Sequence, residues 1–189
     1  MRTNATASPS ARADRIAARL GDANPGDPGA VASLLLNPVP LQPGEAMFVP
    51  AGGVHAYLSG LAGEIMANSD NVLRAGLTSK HVDIDAVLEI DDHVARPPIR
   101  IAPEIFAGCT RVVYAPVDDF ELSVVSLTGQ IDQRLQGAGP RVTIVLEGDL
   151  QMRTSSQSAV CGPGAAFFIG ANEASWVSGT GTLVQADVP

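Results

Sequence analysis

The stretch from Pro43 to Leu58, PGEAMFVPAGGVHAYL, decides how the rest of the chain is read. Pro43-Gly44 supplies a turn, because proline fixes φ at the second turn position and glycine tolerates the positive φ that often follows. Ala46 to Val49 is then a short apolar strand. Pro50, Gly52 and Gly53 interrupt it, since proline cannot donate to a strand ladder and neighbouring glycines admit a tight reversal. His55 follows at the start of a second strand, so one imidazole is held where two strands meet, a placement that suits a metal ligand. The alternative is a hairpin whose histidine is a satisfied core residue.

Working outward, Gly44, Pro50, Gly52 and His55 match the spacing of the second cupin motif, in which the histidine binds a metal inside a small β-barrel. Residues 60–80, GLAGEIMANSDNVLRAGLTSK, resemble the signature of type I phosphomannose isomerases, the zinc enzymes that interconvert mannose 6-phosphate and fructose 6-phosphate. VPAGGVHAYLSG and the upstream NPGDPGAVASLLLN resemble the same family. The resemblance is specific from Asn24 to His81 and continues as a general likeness to the family's carboxy-terminal portion.

That resemblance implies roles. His55 matches the zinc-binding histidine, Tyr57 a tyrosine that lines the sugar pocket, and Glu64 a carboxylate of the active-site cavity. Arg74 matches an arginine regarded as catalytic, and Lys80 a lysine bordering the pocket. The reaction it implies passes through a cis-enediol. The family draws its other zinc ligands, a Gln and a His one residue apart and then a Glu, from an amino-terminal segment. This chain has neither HxH nor QxH, so its set of ligands for Zn2+ is expected to be incomplete, and His81 and His93 lack ligand-like spacing. The expected ligand is a phosphorylated sugar, and a separately encoded amino-terminal half is an expected partner.

The residues carry a physical reading of their own. Tyr57 lies two positions after His55 and faces the same side if the backbone is extended, either lining a pocket or packing the barrel mouth. Glu64 sits in an apolar run expected to be a strand, where a carboxylate is costly unless paired; it marks a site or forms an ion pair with Arg74. A guanidinium at 74 can hold phosphate bidentately or stabilise negative charge on an enediolate. Lys80 is the only lysine among twelve cationic side chains, which fits a place needing a compact, rotatable ammonium. Surface charge is the alternative for both Arg74 and Lys80. Asp70 and Asn71 most simply shape their loop.

A formal net charge of −8 opposes nucleic acid and anionic membrane, so an anionic substrate must meet a local cationic pocket. No apolar run approaches the roughly 20 residues of a membrane span. Arg2, Arg12, Arg15 and Arg19 among Ser, Thr and Ala imitate a transit peptide faintly, but Asp14 interrupts them and a surface helix explains them equally. Cys109 and Cys161 form no CxxC, which points to buried thiols in a reducing compartment and to a cytoplasmic protein.

In chain order, a helix is expected over Ala11–Leu20, capped by Ser10 and ended by Gly21, and another from Gly26-Asp27-Pro28 to Leu36. These resemble the end of a helical insertion that precedes the histidine strand in the family, so the chain is expected to begin partway through a larger architecture. Gly63–Ala67 and Val72–Leu77 read as strands and Asp83–Ile90 as a capped helix, with a linker over Asp91–Pro98. Beyond it, Phe120–Leu127, Arg141–Leu146, Leu150–Arg153, Ala165–Ile169 and Ser175–Val177 are β-rich runs. The run from Pro43 lies without gaps on the run from Pro163, pairing Met47 with Phe167, Phe48 with Phe168 and Val49 with Ile169. Ser175 then stands where the first copy has His55, so the second unit reads as a lobe without a metal.

The expected fold is mainly β, built of cupin-like (double-stranded β-helix or jelly-roll) units after a short helical amino-terminal segment. Its expected divisions are 1–37 for the tail and helices, 38–96 for the unit bearing the site, and 97–189 for the degenerate second unit. The expected function is that of the resembled isomerases, the alternative being a non-catalytic remnant or phosphosugar-binding module of that family.

Overall fold

The computed structural model describes residues 10–68, 72–92, 94–105 and 111–189. Strands outweigh helices, at 35% against 16% of the described residues, which bears out a mainly β chain. It divides into two units, Met1–Ser59 with Ser69–Arg100, and Gly60–Asn68 with Ile101–Pro189. The loop residues Asp70 and Asn71, together with His93 and Cys109, lie outside the described residues.

The first unit opens with α1 (Ala11–Ala23), preceded by Ser10 at the N-cap position. The helix runs past Gly21, which was expected to end it. Asn24 is the terminator: both its backbone N–H and its side-chain amide donate to the Leu20 carbonyl, at 2.8 and 3.1 Å. The second expected helix shortens to a single turn, α2 (Gly29–Ala32), which tightens into a 3-10 turn over Ser33–Leu35. β1 (Ala46–Phe48) follows and pairs with β2 (Ile99–Ile101). Arg100 fixes the entry to β1, donating to the Glu45 carboxylate and to the Pro40 carbonyl, both at 3.0 Å. Glu45 also accepts from the Gln42 N–H at 2.8 Å, and that backbone bond, followed by the one from Arg100, holds its carboxyl below the usual range. α3 (Ile84–Ile90) is capped as expected by Asp83, whose carboxylate accepts from the Ala86 N–H at 3.0 Å.

Among the described residues no strand forms at Gly63–Ala67 or Val72–Leu77, and none begins at His55. These expectations are corrected. Apolar alternation makes a strand only where another edge supplies its hydrogen bonds, and no described strand pairs with these runs. The second run also leaves extended backbone at its end, with Gly76 at φ +146° and Leu77 at +54°.

The second unit is one antiparallel sheet. Its strands are β3 (Glu104–Ile105), β4 (Arg111–Tyr114), β5 (Glu121–Arg134), β6 (Arg141–Thr154), β7 (Ser158–Cys161), β8 (Ala166–Ile169) and β9 (Ser175–Asp187). They lie in the order β3-β4-β5-β9-β6-β7, with β8 also on β6. One edge of β6 pairs with β9 along nearly its whole length, while the other takes β8 at Arg141–Ile144 and β7 at Leu150–Arg153. Alternation sends Val125, Leu127, Val145, Leu150, Met152, Val177 and Leu183 into one core, completed by Leu135, Cys161 and Ile169. Burial raises the Cys161 thiol pKa, and its Sγ lies 3.2 Å from the Leu150 carbonyl.

Glycines face one another across the three long strands, Gly148 opposite Gly181 and Gly179 opposite Gly129. A Cβ at Gly148 would run into the Thr180 carbonyl, and one at Gly179 into the Asp149 carbonyl. Only glycine permits that approach, and Gly148 and Gly179 also adopt φ of +82° and +115°. β6 therefore continues through Glu147-Gly148-Asp149, which read as a break, with a register shift between Val145 and Glu147.

The sequence repeat has a structural counterpart in each unit. Gly44 and Gly164 take φ of +82° and +85°, and Gly52 and Asn172 take +78° and +61°. The turn bond from Gly53 N–H to the Pro50 carbonyl, 3.0 Å, recurs from Glu173 to Gly170 at 3.1 Å. The copies part at the next step, where buried Ser175 opens β9 while His55 stands exposed on irregular backbone.

Candidate functional site

His55 is placed by the turn before it. At Gly52 a Cβ would press on the Ile90 carbonyl at 2.9 Å, and the Asp92 N–H donates to the Gly52 carbonyl at 3.2 Å, so the turn is seated on the end of α3. The imidazole Nδ1 lies 3.1 Å from the Gly53 carbonyl. With Nδ1 protonated to donate there, Nε2 carries the lone pair, the arrangement in which a histidine ligates metal. Tyr57 stands edge-on to His55, with ring centroids 5.6 Å apart and planes at 71°, and is 69% exposed. The two rings lie together as expected, although no strand holds them.

Arg74 and Lys80 are exposed on the irregular segment that follows, and the Lys80 N–H donates to Thr78 Oγ1 at 3.1 Å. What holds this segment is Asp27. One carboxylate oxygen accepts from the Gly29 N–H at 2.7 Å, and the other from the Leu77 N–H at 2.8 Å. A residue read from sequence only as a helix cap thus also ties down the backbone between Arg74 and Lys80. No local signal shows this, because the partner lies 50 residues away.

Glu64 falls in the second unit and is exposed, outside any strand. The reading of a carboxylate in an apolar strand is corrected: its desolvation cost is absent because its backbone is irregular and open to water. Among the described residues no three His, Cys, Asp or Glu side chains could hold a metal ion together. His55 fits one ligand position of a zinc centre, and the described residues do not supply the rest.

No family model matches the chain. Over 164 residues it is 42% identical to the mannose-6-phosphate isomerase of Salmonella typhimurium, a match covering 85% of this chain and 41% of that protein. The Escherichia coli isomerase is 40% identical over 163 residues, with the same coverage. Over that span the chain is similar to the carboxy-terminal portion of mannose-6-phosphate isomerases. It spans about 41% of the length of these two relatives. Among solved structures, Salmonella mannose-6-phosphate isomerase bound to its substrate f6p and zinc superposes with a TM-score of 0.79 at 38% identity, over 91% of this chain and 44% of that one. The cupin character expected from the sequence is that of these neighbours.

Variants of the Salmonella mannose-6-phosphate isomerase of known structure substitute a histidine, then a glutamate nine residues later, then an arginine ten residues after that. His55, Glu64 and Arg74 are separated by the same nine and ten residues. Other substituted positions of that enzyme, a histidine, a glutamate and two lysines, lie more than a hundred residues before its histidine. No helix of the described residues is long and apolar enough to cross a membrane.

Proposed function

We propose that this chain supplies His55, Tyr57, Glu64, Arg74 and Lys80 to the interconversion of mannose 6-phosphate and fructose 6-phosphate. The reading is carried by the shared spacing of His55, Glu64 and Arg74 with three positions substituted in a relative of that activity. In it, His55 is one zinc ligand, and an amino-terminal portion, encoded separately or with this chain, brings the others. Zinc would supply Lewis-acid polarisation of the sugar oxygens. Arg74 stabilises the negative charge that grows as a proton leaves C2, while Tyr57, Glu64 and Lys80 bind the sugar phosphate. In this reading 1–37 is a tail and helical segment, 38–96 the unit bearing the site and 97–189 a second, degenerate unit. The buried free Cys161 fits a reducing compartment, the cytoplasm.

The test joins this chain to the amino-terminal portion of a relative and measures isomerisation with zinc content checked on each variant. Arg74→Ala should lower kcat by roughly 10²- to 10³-fold and leave zinc and most substrate affinity in place. Arg74→Lys should recover part of the loss, since lysine keeps the charge without the planar fork. A raised KM with kcat spared would reassign Arg74 to phosphate grip, and unchanged kinetics would remove it from the site. The lack of a metal-holding group among the described residues favours a second reading, a non-catalytic phosphosugar-binding module. Sugar-phosphate binding by a joined, zinc-loaded but inert protein would establish it.

A further inference from the structure

Ser175 stands in the second unit where His55 stands in the first, and the two positions meet opposite fates. His55 is exposed, whereas Ser175 is fully buried. Part of the second unit's interior is also unlike its apolar core. Ser123, Gln185 and Thr143 face one another across β5, β9 and β6, and Asp187 and Arg141 do so in the next row on the same face. All five are buried, and the hydroxyls of Ser123, Thr143 and Ser175 and the Oε1 of Gln185 find no hydrogen-bond partner among the described residues. A core normally satisfies such groups, so their grouping here has the character of a polar site rather than of packing.

The connection from β5 to β6, residues 135–140, is pinned to the segment that carries Ser175. The Leu135 N–H donates to the Ser175 carbonyl at 3.0 Å, and the Asn172 N–H to the Ala138 carbonyl at 2.8 Å. Buried side chains hold it from within. Gln185 Nε2 donates to the Gln136 carbonyl at 2.8 Å, and the Arg141 guanidinium donates to the Leu135 carbonyl at 3.2 Å and to the Glu173 carbonyl. Gly137, at φ +114°, rests so closely on the Asp187 carboxylate and the Arg141 side chain that a Cβ would run into both. A guanidinium only 1% exposed is costly unless its charge and donors are matched. Here Asp187 stands opposite it, and its planar fork joins the connection to the turn leading into Ser175, which a lysine could not do.

We propose that residues 135–140 are a strap, locked by Arg141, that closes the second unit's counterpart of the histidine site. With the strap down, the polar interior behind it admits neither metal nor sugar. The repeat then presents a metal ligand from one copy and a sealed interior from the other. The strap belongs to the second unit alone, so it stands or falls apart from the phosphosugar reading.

Thiol labelling of the full chain with dithionitrobenzoate tests it. In a Cys109→Ser background, Ser175→Cys sets a probe at the sealed place, and Cys161, buried in the apolar core, reports on unfolding. The introduced thiol should react at least about a hundredfold more slowly than free cysteine. Adding Arg141→Ala should speed it by at least about tenfold while Cys161 stays slow, and Arg141→Lys, which keeps the charge without the fork, should fall between. Gly137→Ala, which pries at the strap and leaves Arg141 in place, should speed it as well. Circular dichroism checks each fold, and Arg141→Lys and Gly137→Ala decide the matter if Arg141→Ala does not fold. Labelling as fast as free cysteine in Ser175→Cys alone, or equal rates with and without the strap variants, would overturn the strap. So would Cys161 reacting in step with the introduced thiol, because the whole unit would then be opening.

Discussion

Asp27 shows how one carboxylate can set the position of residues it never touches. Its two oxygens accept separate backbone N–H groups, one opening α2 and one at Leu77, whose φ of +54° is unfavourable for a leucine. A hydrogen bond to a charged acceptor contributes more than one to a neutral acceptor, and the side chain is partly shielded from water. Asp27→Ala should therefore destabilise the chain by about 2–3 kcal/mol in urea unfolding. Asp27→Asn, which keeps one good acceptor, should lose about half as much. Loss of the second bond also frees the backbone between Arg74 and Lys80, so amide exchange at Leu77 should quicken in both variants. A change under about 0.5 kcal/mol in Asp27→Ala would show that the tether carries no stability.

At the scale of the element, the glycines that face one another across β5, β9 and β6 differ sharply in what surrounds them. Gly148 has a left-handed φ and the Thr180 carbonyl in the place of a Cβ, whereas Gly129, opposite Gly179 in the adjacent strand pair, has nothing within 4 Å. Gly148→Ala should cost at least about 2 kcal/mol, from backbone strain and the clash together, while Gly129→Ala should stay within about 0.5 kcal/mol. Equal effects in thermal unfolding would mean that the close approach of the Thr180 carbonyl does not require glycine at 148. The same glycines explain what was and was not legible in the sequence. Turn, strand and turn were readable at Pro43 and again at Pro163, because local chemistry alone fixes the φ of Gly44 and Gly164. The lengths of β6 and β9 were not, because Gly148, Gly179 and Gly181 punctuate a sequence whose ladder nevertheless runs on against a distant partner. The opposite error fell at Gly63–Ala67 and Val72–Leu77, where an apolar pattern was present and a partner edge was not. His55, Tyr57, Arg74 and Lys80 were legible as a motif, yet neither the Asp27 tether nor the seating of Gly52 on α3 leaves a local trace.

At the scale of the whole molecule, the question is how much of a zinc centre one chain can hold. His55 offers a lone pair on an exposed, oriented ring, but catalytic zinc sites use three or more protein ligands, and the described residues bring no such group together. Affinity falls steeply as ligands are removed, because each lost bond also loses the geometry that selects the ion. The purified chain should accordingly retain well under one equivalent of zinc after dialysis against a mild chelator. Joined to the amino-terminal portion of a relative, it should retain close to one. His55→Ala should abolish that gain, and should leave unfolding by urea nearly unchanged, since an exposed ring contributes little to stability. Metal analysis on each protein, with urea unfolding beside it, checks both expectations. A full equivalent of zinc held by the lone chain and lost in His55→Ala would overturn the argument, and would mean that this chain completes the centre from its own side chains.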